Sequence, residues 1–224
     1  MIIVHEDLPD LADEVAETLR NVYGFPTDIF NRNLEGVFTP TKKWKGYLTA
    51  NSELTTALPE FKDKAILVLI DRDLYLHEDQ QEDNWILGYS CGRISAVSIA
   101  RLKRSDREPS DTLEITHDKF LKRVNHIAIH EIGHDAVQGD HHELAVFVNA
   151  KTNYKMRLGN HCPDSHCVMY EIIDVIKPDE TKEYMLIGDK KITDAGLDVV
   201  LENAYPDWFC SSCKDSITLD AKYF

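Results

Sequence analysis

The chain is expected to fold as an α+β domain, a small mixed sheet packed on helices, and three features carry that expectation. Apolar runs at residues 2–4 and 65–70 have the length and continuity of buried strands. Residues 8–23 and 118–137 carry apolar side chains at helical spacing. With 224 residues and 43% apolar content, the chain is long enough to bury a sizeable core.

The elements follow in order. Residues 2–4 make the first strand. In 8–23, Leu11, Val15, Leu19 and Val22 form the stripe of an amphipathic helix, which Gly24 ends. Residues 27–30 are a candidate second strand, 54–58 a short helix and 65–70 a buried strand. In 94–100, Ile94, Ala96, Ser98 and Ala100 share one face while Ser95, Val97 and Ile99 share the other, and this segment is expected at the sheet edge. A charged loop, 101–111, leads to the helix 118–137, whose Phe120, Leu121, Val124, Ile127 and Ala128 face the core. Gln138, Gly139 and Asp140 break it. Asp140 with Glu143 three residues later fits a capping arrangement, so a second helix is expected from 141 to about 154. Beyond Leu158 the chain reads as irregular and cysteine-rich, apart from a helical stretch around 193–203. Such a tail needs a source of stability other than a core, and a metal knot supplies one.

Composition narrows the function classes. The formal charge of −14, from 39 acidic against 25 basic residues, would repel nucleic acid and an anionic membrane. No run of apolar residues is long enough to span a bilayer. The start, Met1-Ile2-Ile3-Val4 followed by Glu6 and Asp7, lacks the basic and apolar regions of a signal peptide, so a cytoplasmic location is expected. Five cysteines fall unevenly, Cys91 alone and then Cys162, Cys167, Cys210 and Cys213. In a reducing compartment the last four read as thiolate metal ligands rather than disulfides.

The chemistry centres on His130-Glu131-Ile132-Gly133-His134, the HExxH frame. Histidines four apart stand about 40° apart around a helix, so both imidazoles can hold one metal while Glu131 sits beside its water. The surrounding Ile127, Ala128, Ile129 and Ile132 make unpartnered burial of His130 and Glu131 costly by several kcal/mol, a cost that a metal removes. A catalytic zinc takes a third protein ligand and keeps one position for water. His161, beside Cys162, is the first choice for that ligand, with His141 and His142 as competitors.

Together with this frame, the His161-Cys162 pair, Cys167-Val168-Met169 and Cys210-Ser211-Ser212-Cys213 resemble the archaemetzincin (archaelysin) family of zinc metalloproteases. The segments 70–75, 85–88 and 96–102 are also similar to that family's approach to the active-site helix, so the resemblance covers most of the chain. It implies a metzincin-like sheet, an active-site helix, a methionine turn and a C-terminal four-cysteine zinc site. It implies two zinc ions: a catalytic one on His130, His134 and His161 with Glu131 as general base, and a structural one on Cys162, Cys167, Cys210 and Cys213. Met169 becomes the methionine packed beneath the catalytic metal. The resemblance further implies a single domain over 1–224, with sheet and active-site helix in 1–137 and inserted helix, methionine turn and cysteine knot in 138–224. The chain departs from the family in placing 26 residues between His134 and His161 where the family has five, and in a longer interval from Met169 to Cys210. The family's turn glycine would fall at Leu158, one place before Gly159.

The expected activity is hydrolysis of peptide bonds in a peptide or protein substrate laid along the 94–100 strand. The rival is a catalytically silent, zinc-stabilised binding or scaffold protein of the same fold. A histidine-carboxylate iron enzyme is a remote third reading. Ordinary surface or packing roles are expected for His5, His77, His117 and His126, and a supporting role beside the cysteines for His166. Cys91 is expected to be buried. Asp71, Asp73, Glu82 and Asp83 read as a solvated acidic stretch, and Tyr154 and Tyr170 as weak candidates for assisting the oxyanion.

Overall fold

The computed structural model describes residues 1–34, 39–40, 47–48, 58–75, 85–137, 139–179 and 181–218. They divide into two compact units, Met1–Asp135 and Ala136–Thr218.

The first unit opens with β1 (Ile2–His5), fully buried, and α1 (Pro9–Tyr23). Pro9 suits the first turn of α1 because its missing N–H would have no helical acceptor there. Leu11, Val15 and Leu19 are buried along the expected stripe. Gly24 ends the helix at φ 79°, a left-handed conformation that costs little only for glycine, and its N–H reaches the Arg20 carbonyl. The strands β2 (Asp28–Asn31), β3 (Thr39–Pro40), β4 (Tyr47–Leu48), β5 (Ile66–Ile70), β6 (Leu74–Tyr75), β7 (Trp85–Ile86), β8 (Gly88–Cys91) and β9 (Ile94–Ser98) follow, and then α2 (His117–Ala136). The short helix expected at 54–58 lies, except for Leu58, outside the described residues, as do His77, Glu82 and Asp83.

Five strands form the main sheet in the order β2-β1-β5-β9-β8. The first four run parallel and β8 runs antiparallel to β9. The continuous apolar run of β5 is explained by its central place, buried on both faces. On one face Ile2, Val4, Ile66, Val68, Ile70, Ile94 and Ala96 pack with Leu34, Leu58, Phe61 and Leu74. Burying each such aliphatic side chain stabilises the fold by roughly 1.5–3 kcal/mol. A smaller sheet has the order β3-β4-β6-β7.

Two expectations for this unit are corrected. The 94–98 strand is internal, between β5 and β8, and β8 is the edge; Ile94 to Ser98 are all buried. Asp71 and Asp73 are not a solvated stretch. Asp73 is fully buried and takes Arg101 in a two-pronged pair, Nε to Oδ1 at 2.8 Å and Nη2 to Oδ2 at 2.6 Å, while Lys103 Nζ lies 2.5 Å from Asp71. The Arg101 guanidinium also lies 4.0 Å from the Trp85 ring centre. Cys91, expected to be buried, is exposed at the end of β8, paired with Ile94.

The second unit is built on a four-stranded antiparallel sheet of β10 (Glu143–Asn149), β11 (Tyr154–His161), β12 (Glu183–Ile187) and β13 (Lys190–Ile192), in the order β11-β10-β12-β13. This overturns the helix expected at 141–154 and the irregular tail. Val146, Phe147 and Val148 are strand formers, and Tyr154, Met156 and Leu158 alternate with Lys155 and Arg157 as one half-buried strand requires. Two short helices complete the unit, α3 (Leu197–Asn203), within the helical stretch expected around 193–203, and α4 (Ser211–Asp215). Among the described residues no helix is long and apolar enough to cross a membrane.

Candidate metal centres

The helix α2 carries His130, Glu131 and His134 at its C-terminal end. Two hydroxyls tie its backbone in this region: Tyr23 donates to the Ile129 carbonyl at 2.8 Å, and Ser95 of β9 donates to the Glu131 carbonyl at 3.1 Å. His130 and Glu131 are buried, at 4% and 6% exposure, so neither imidazole nor carboxylate is a surface ornament of the helix. The His130 and His134 rings meet edge to face with centres 4.9 Å apart, as i, i+4 spacing requires. The Glu131 carboxylate lies against Gly88 of β8, where an added Cβ would come 2.6 Å from Oε1.

His161 ends β11 and is fully buried. Its Nδ1 lies 3.3 Å from the Gly159 carbonyl and its Nε2 lies 2.5 Å from Glu171 Oε2. Burial pushes this imidazole's pKa down, but the adjacent Glu171 carboxylate more than reverses that, so the net shift is upward. Gly159 has φ 102° at a bulge where the register shifts between Ala145 and Val146, leaving Leu158 unpaired. The glycine displaced by one place in the sequence therefore adjoins the bulge, two residues before His161.

His130, His134 and His161 form one group, each offering a nitrogen within 4.8 Å of the others. Two buried imidazoles and the half-buried His134, this close together, fit a zinc ion. His161, the first choice from the sequence, falls in this candidate group, and His141 and His142 do not.

His141 instead joins the second group, with Cys162, Cys210 and Cys213, again within 4.8 Å. Cys167 lies outside that group, though its sulfur accepts from the Cys210 amide at 3.4 Å. As thiols these residues are in conflict. Hydrogen bonds from Cys162 and Cys213 hold the Cys167 thiol far below its usual range, while Cys162 and Cys213 are pushed far above theirs. A divalent cation relieves that conflict by stabilising several thiolates together. His166 is turned to Asp164 and Tyr205 rather than to the sulfurs, with Nδ1 3.1 Å from Asp164.

Met169 is fully buried, and its carbonyl accepts the Cys162 amide at 2.9 Å. The Tyr170 amide returns to the Cys167 carbonyl at 3.0 Å, closing a tight turn around Val168 and Met169. Tyr170 is also buried, which pushes its phenol up and disfavours ionisation. The sequence reading did not single out Glu171, and the role of Gly88 in making room for Glu131 depends on the strand beside the helix. His141, weighed as a competitor for the third catalytic ligand, falls in the second candidate group.

No protein-family model and no curated protein matches the chain. Among solved structures two share its fold. An archaemetzincin from Methanopyrus kandleri matches with TM-score 0.54 and 22% identity over 96% of this chain and 90% of that one. A zinc-dependent peptidase from Methanocorpusculum labreanum (strain Z) matches with TM-score 0.53 and 17% identity over 97% and 99%. At these identities the likeness is one of fold.

Proposed function

We propose that this chain is a zinc-dependent peptidase of the archaemetzincin family, acting in the cytoplasm on peptide or protein substrates with one catalytic and one structural zinc. The observation that carries the reading is the gathering of His130, His134 and His161 within 4.8 Å. These three are the catalytic zinc ligands. When bound, zinc brings the acidity of water toward neutral pH and polarises a substrate carbonyl.

The chain's own residues supply the rest. Glu131 is the general base: buried beside β8, its carboxylate takes a proton from the attacking water and passes it to the departing amine. An extended peptide pairs with β8, the outermost strand of its sheet, whose second edge has no strand partner among the described residues. Met169, buried in the turn that follows Cys167, is the candidate for the family's methionine. Cys162, Cys210 and Cys213, with one further donor, hold the second zinc. The likeness in fold to an archaemetzincin and a zinc-dependent peptidase supports the same reading. The charge of −14 disfavours nucleic acid and anionic membranes as partners.

A second reading, a zinc-stabilised peptide-binding protein without turnover, is favoured by one contact. The Glu171 carboxylate lies 2.5 Å from His161 Nε2, and on this second reading that contact takes the place of a metal at the third imidazole. Hydrolysis of an unbiased peptide pool by the zinc-loaded chain separates the two. Cleavage that falls by about 10²–10⁴-fold in Glu131→Gln, with zinc content unchanged, supports the peptidase. A fully loaded wild type that cleaves nothing supports the silent protein.

A further inference from the structure

The inserted sheet ends in a long, cationic edge. Its order, β11-β10-β12-β13, makes β11 and β13 the outer strands, and β11 has 8 residues against 3 in β13. An outer strand keeps one row of backbone N–H and C=O groups turned away from its sheet, and a further extended chain can pair with that row. Pairing from Tyr154 to Arg157 is regular, and the bulge at Leu158 ends it.

Register assigns the side chains of this stretch to two faces. Lys155 pairs with Val148 and Arg157 with Val146, while Tyr154 pairs with Asn149 and Met156 with Phe147. Lys155 and Arg157 thus share one face, and Tyr154 and Met156 the other. The two cations are exposed and the two largely apolar side chains half-buried. Further across the cationic face stand Tyr184 and Lys191, whose ammonium lies 4.3 Å from the Tyr184 ring centre. No paired position on this face is acidic, in a chain with 39 acidic residues. Among the described residues neither Lys155 nor Arg157 has an ion-pair partner.

From this we infer that the outer edge of β11 binds an extended polypeptide segment in which carboxylate side chains alternate with apolar ones. Pairing with residues 154–157 sets two carboxylates beside Lys155 and Arg157, and apolar side chains beside Tyr154 and Met156. The chain's net negative charge does not forbid this, because at physiological salt charges more than about 8 Å away are largely screened and the contacts at the edge decide. β11 ends at His161, so Lys155 stands about 20 Å along the strand from that imidazole. Binding depends on the edge alone; that the bound segment belongs to a substrate rests on the peptidase reading above.

A fluorescein-labelled octapeptide of alternating Glu and Val, titrated at physiological salt with the zinc-loaded Glu131→Gln chain, reads the affinity by anisotropy. The double variant Lys155→Glu, Arg157→Glu should bind this probe about tenfold more weakly or worse, and should gain affinity for the same probe with Lys in place of Glu. In the parent chain, a probe N-methylated at alternate amides should lose binding, and so should one with its Glu and Val residues sorted into two blocks. Equal affinity for the alternating and the block probe, or no binding of either, overturns the inference and leaves the two cations as guards that keep other strands off the edge. If the alternating probe binds as expected and the wild type cleaves no peptide, the edge stands and the peptidase reading falls. If the wild type cleaves peptides and the probe does not bind, the edge falls and the peptidase reading stands.

Discussion

Gly88 of β8 and Glu131 of α2 are in such close approach that no side chain fits between them: a Cβ on Gly88 would stand 2.6 Å from Glu131 Oε1, 2.9 Å from Glu131 Cγ and 2.8 Å from Ile127 Cγ2. The glycine is needed here for space rather than for backbone freedom. Gly88→Ala must push the carboxylate or the strand aside. Since a displacement of about 1 Å at a reacting group can cost about 10²-fold, turnover should fall by one to two orders of magnitude. Stability should fall by only about 1–3 kcal/mol. Steady-state kinetics beside thermal melting tests this, and a variant with wild-type kcat would show that the carboxylate has room to spare.

The contact between Glu171 and His161 sets up a prediction of direction. A carboxylate that orients a zinc-ligating histidine raises metal affinity, and its loss typically weakens binding by about 10–100-fold. Glu171→Ala should therefore release the catalytic zinc more readily to a chelator while leaving the thiolate-bound ion in place. Tighter zinc binding in the variant would mean that Glu171 competes with the metal for His161.

The pair of Arg101 and Asp73 is 6% and 0% exposed, and both prongs are made. Removing one member of a buried pair leaves the other charge uncompensated, so Asp73→Ala should cost about 3–5 kcal/mol. The double replacement of Asp73 by Ala and Arg101 by Met should cost less than Asp73→Ala alone. Denaturant unfolding of the three variants measures the difference, and a neutral Asp73→Ala would refute it.

His5 gives the fold a pH limit. Burial pushes its imidazole's pKa down, with Asp7 and Asp13 offsetting this only in part, and its Nδ1 accepts the Leu8 amide at 3.0 Å. The folded state thus favours the neutral ring. Its contribution is complete above the ordinary histidine pKa of about 6.5 and is lost as pH falls through the lower folded value. His5→Gln should flatten the acid side of the stability profile, and an unchanged profile would exclude His5 as its cause.

Much of the first unit was readable because its residues obey one rule at a time. The apolar run 65–70 has no other use than a central strand, and Leu11, Val15 and Leu19 have no other use than a helix stripe. The edge was misassigned because Ile94 to Ser98 alternate like an exposed strand, whereas Gly88 and Ser90 owe their size to Glu131 and Ser95, which no single sequence displays. The inserted segment failed for a different reason. Asp140 and Glu143 imitate a helix cap, and that local cue was weighed above the alternation of Tyr154 to Leu158 and the β-branched Val146 and Val148. At the site, the i, i+4 histidines are a local pattern and were legible. His161 needed the motif at Cys162, and the company of His141 depends on strand register, which a sequence does not print.

The hairpin's far end carries a consequence of its own. Residues 150–153 are exposed, and Asn153 sits at φ 56°, a conformation asparagine tolerates well in a turn. Because Glu143 and His161 face each other at the opposite end, the number of residues at this tip has no influence on the separation of the ends. Lengthening a loop twofold costs only about 0.6 kcal/mol. The tip is thus a natural attachment point: a reporter peptide or a small guest domain spliced between Lys151 and Thr152 could ride on the molecule without disturbing either cluster of donors.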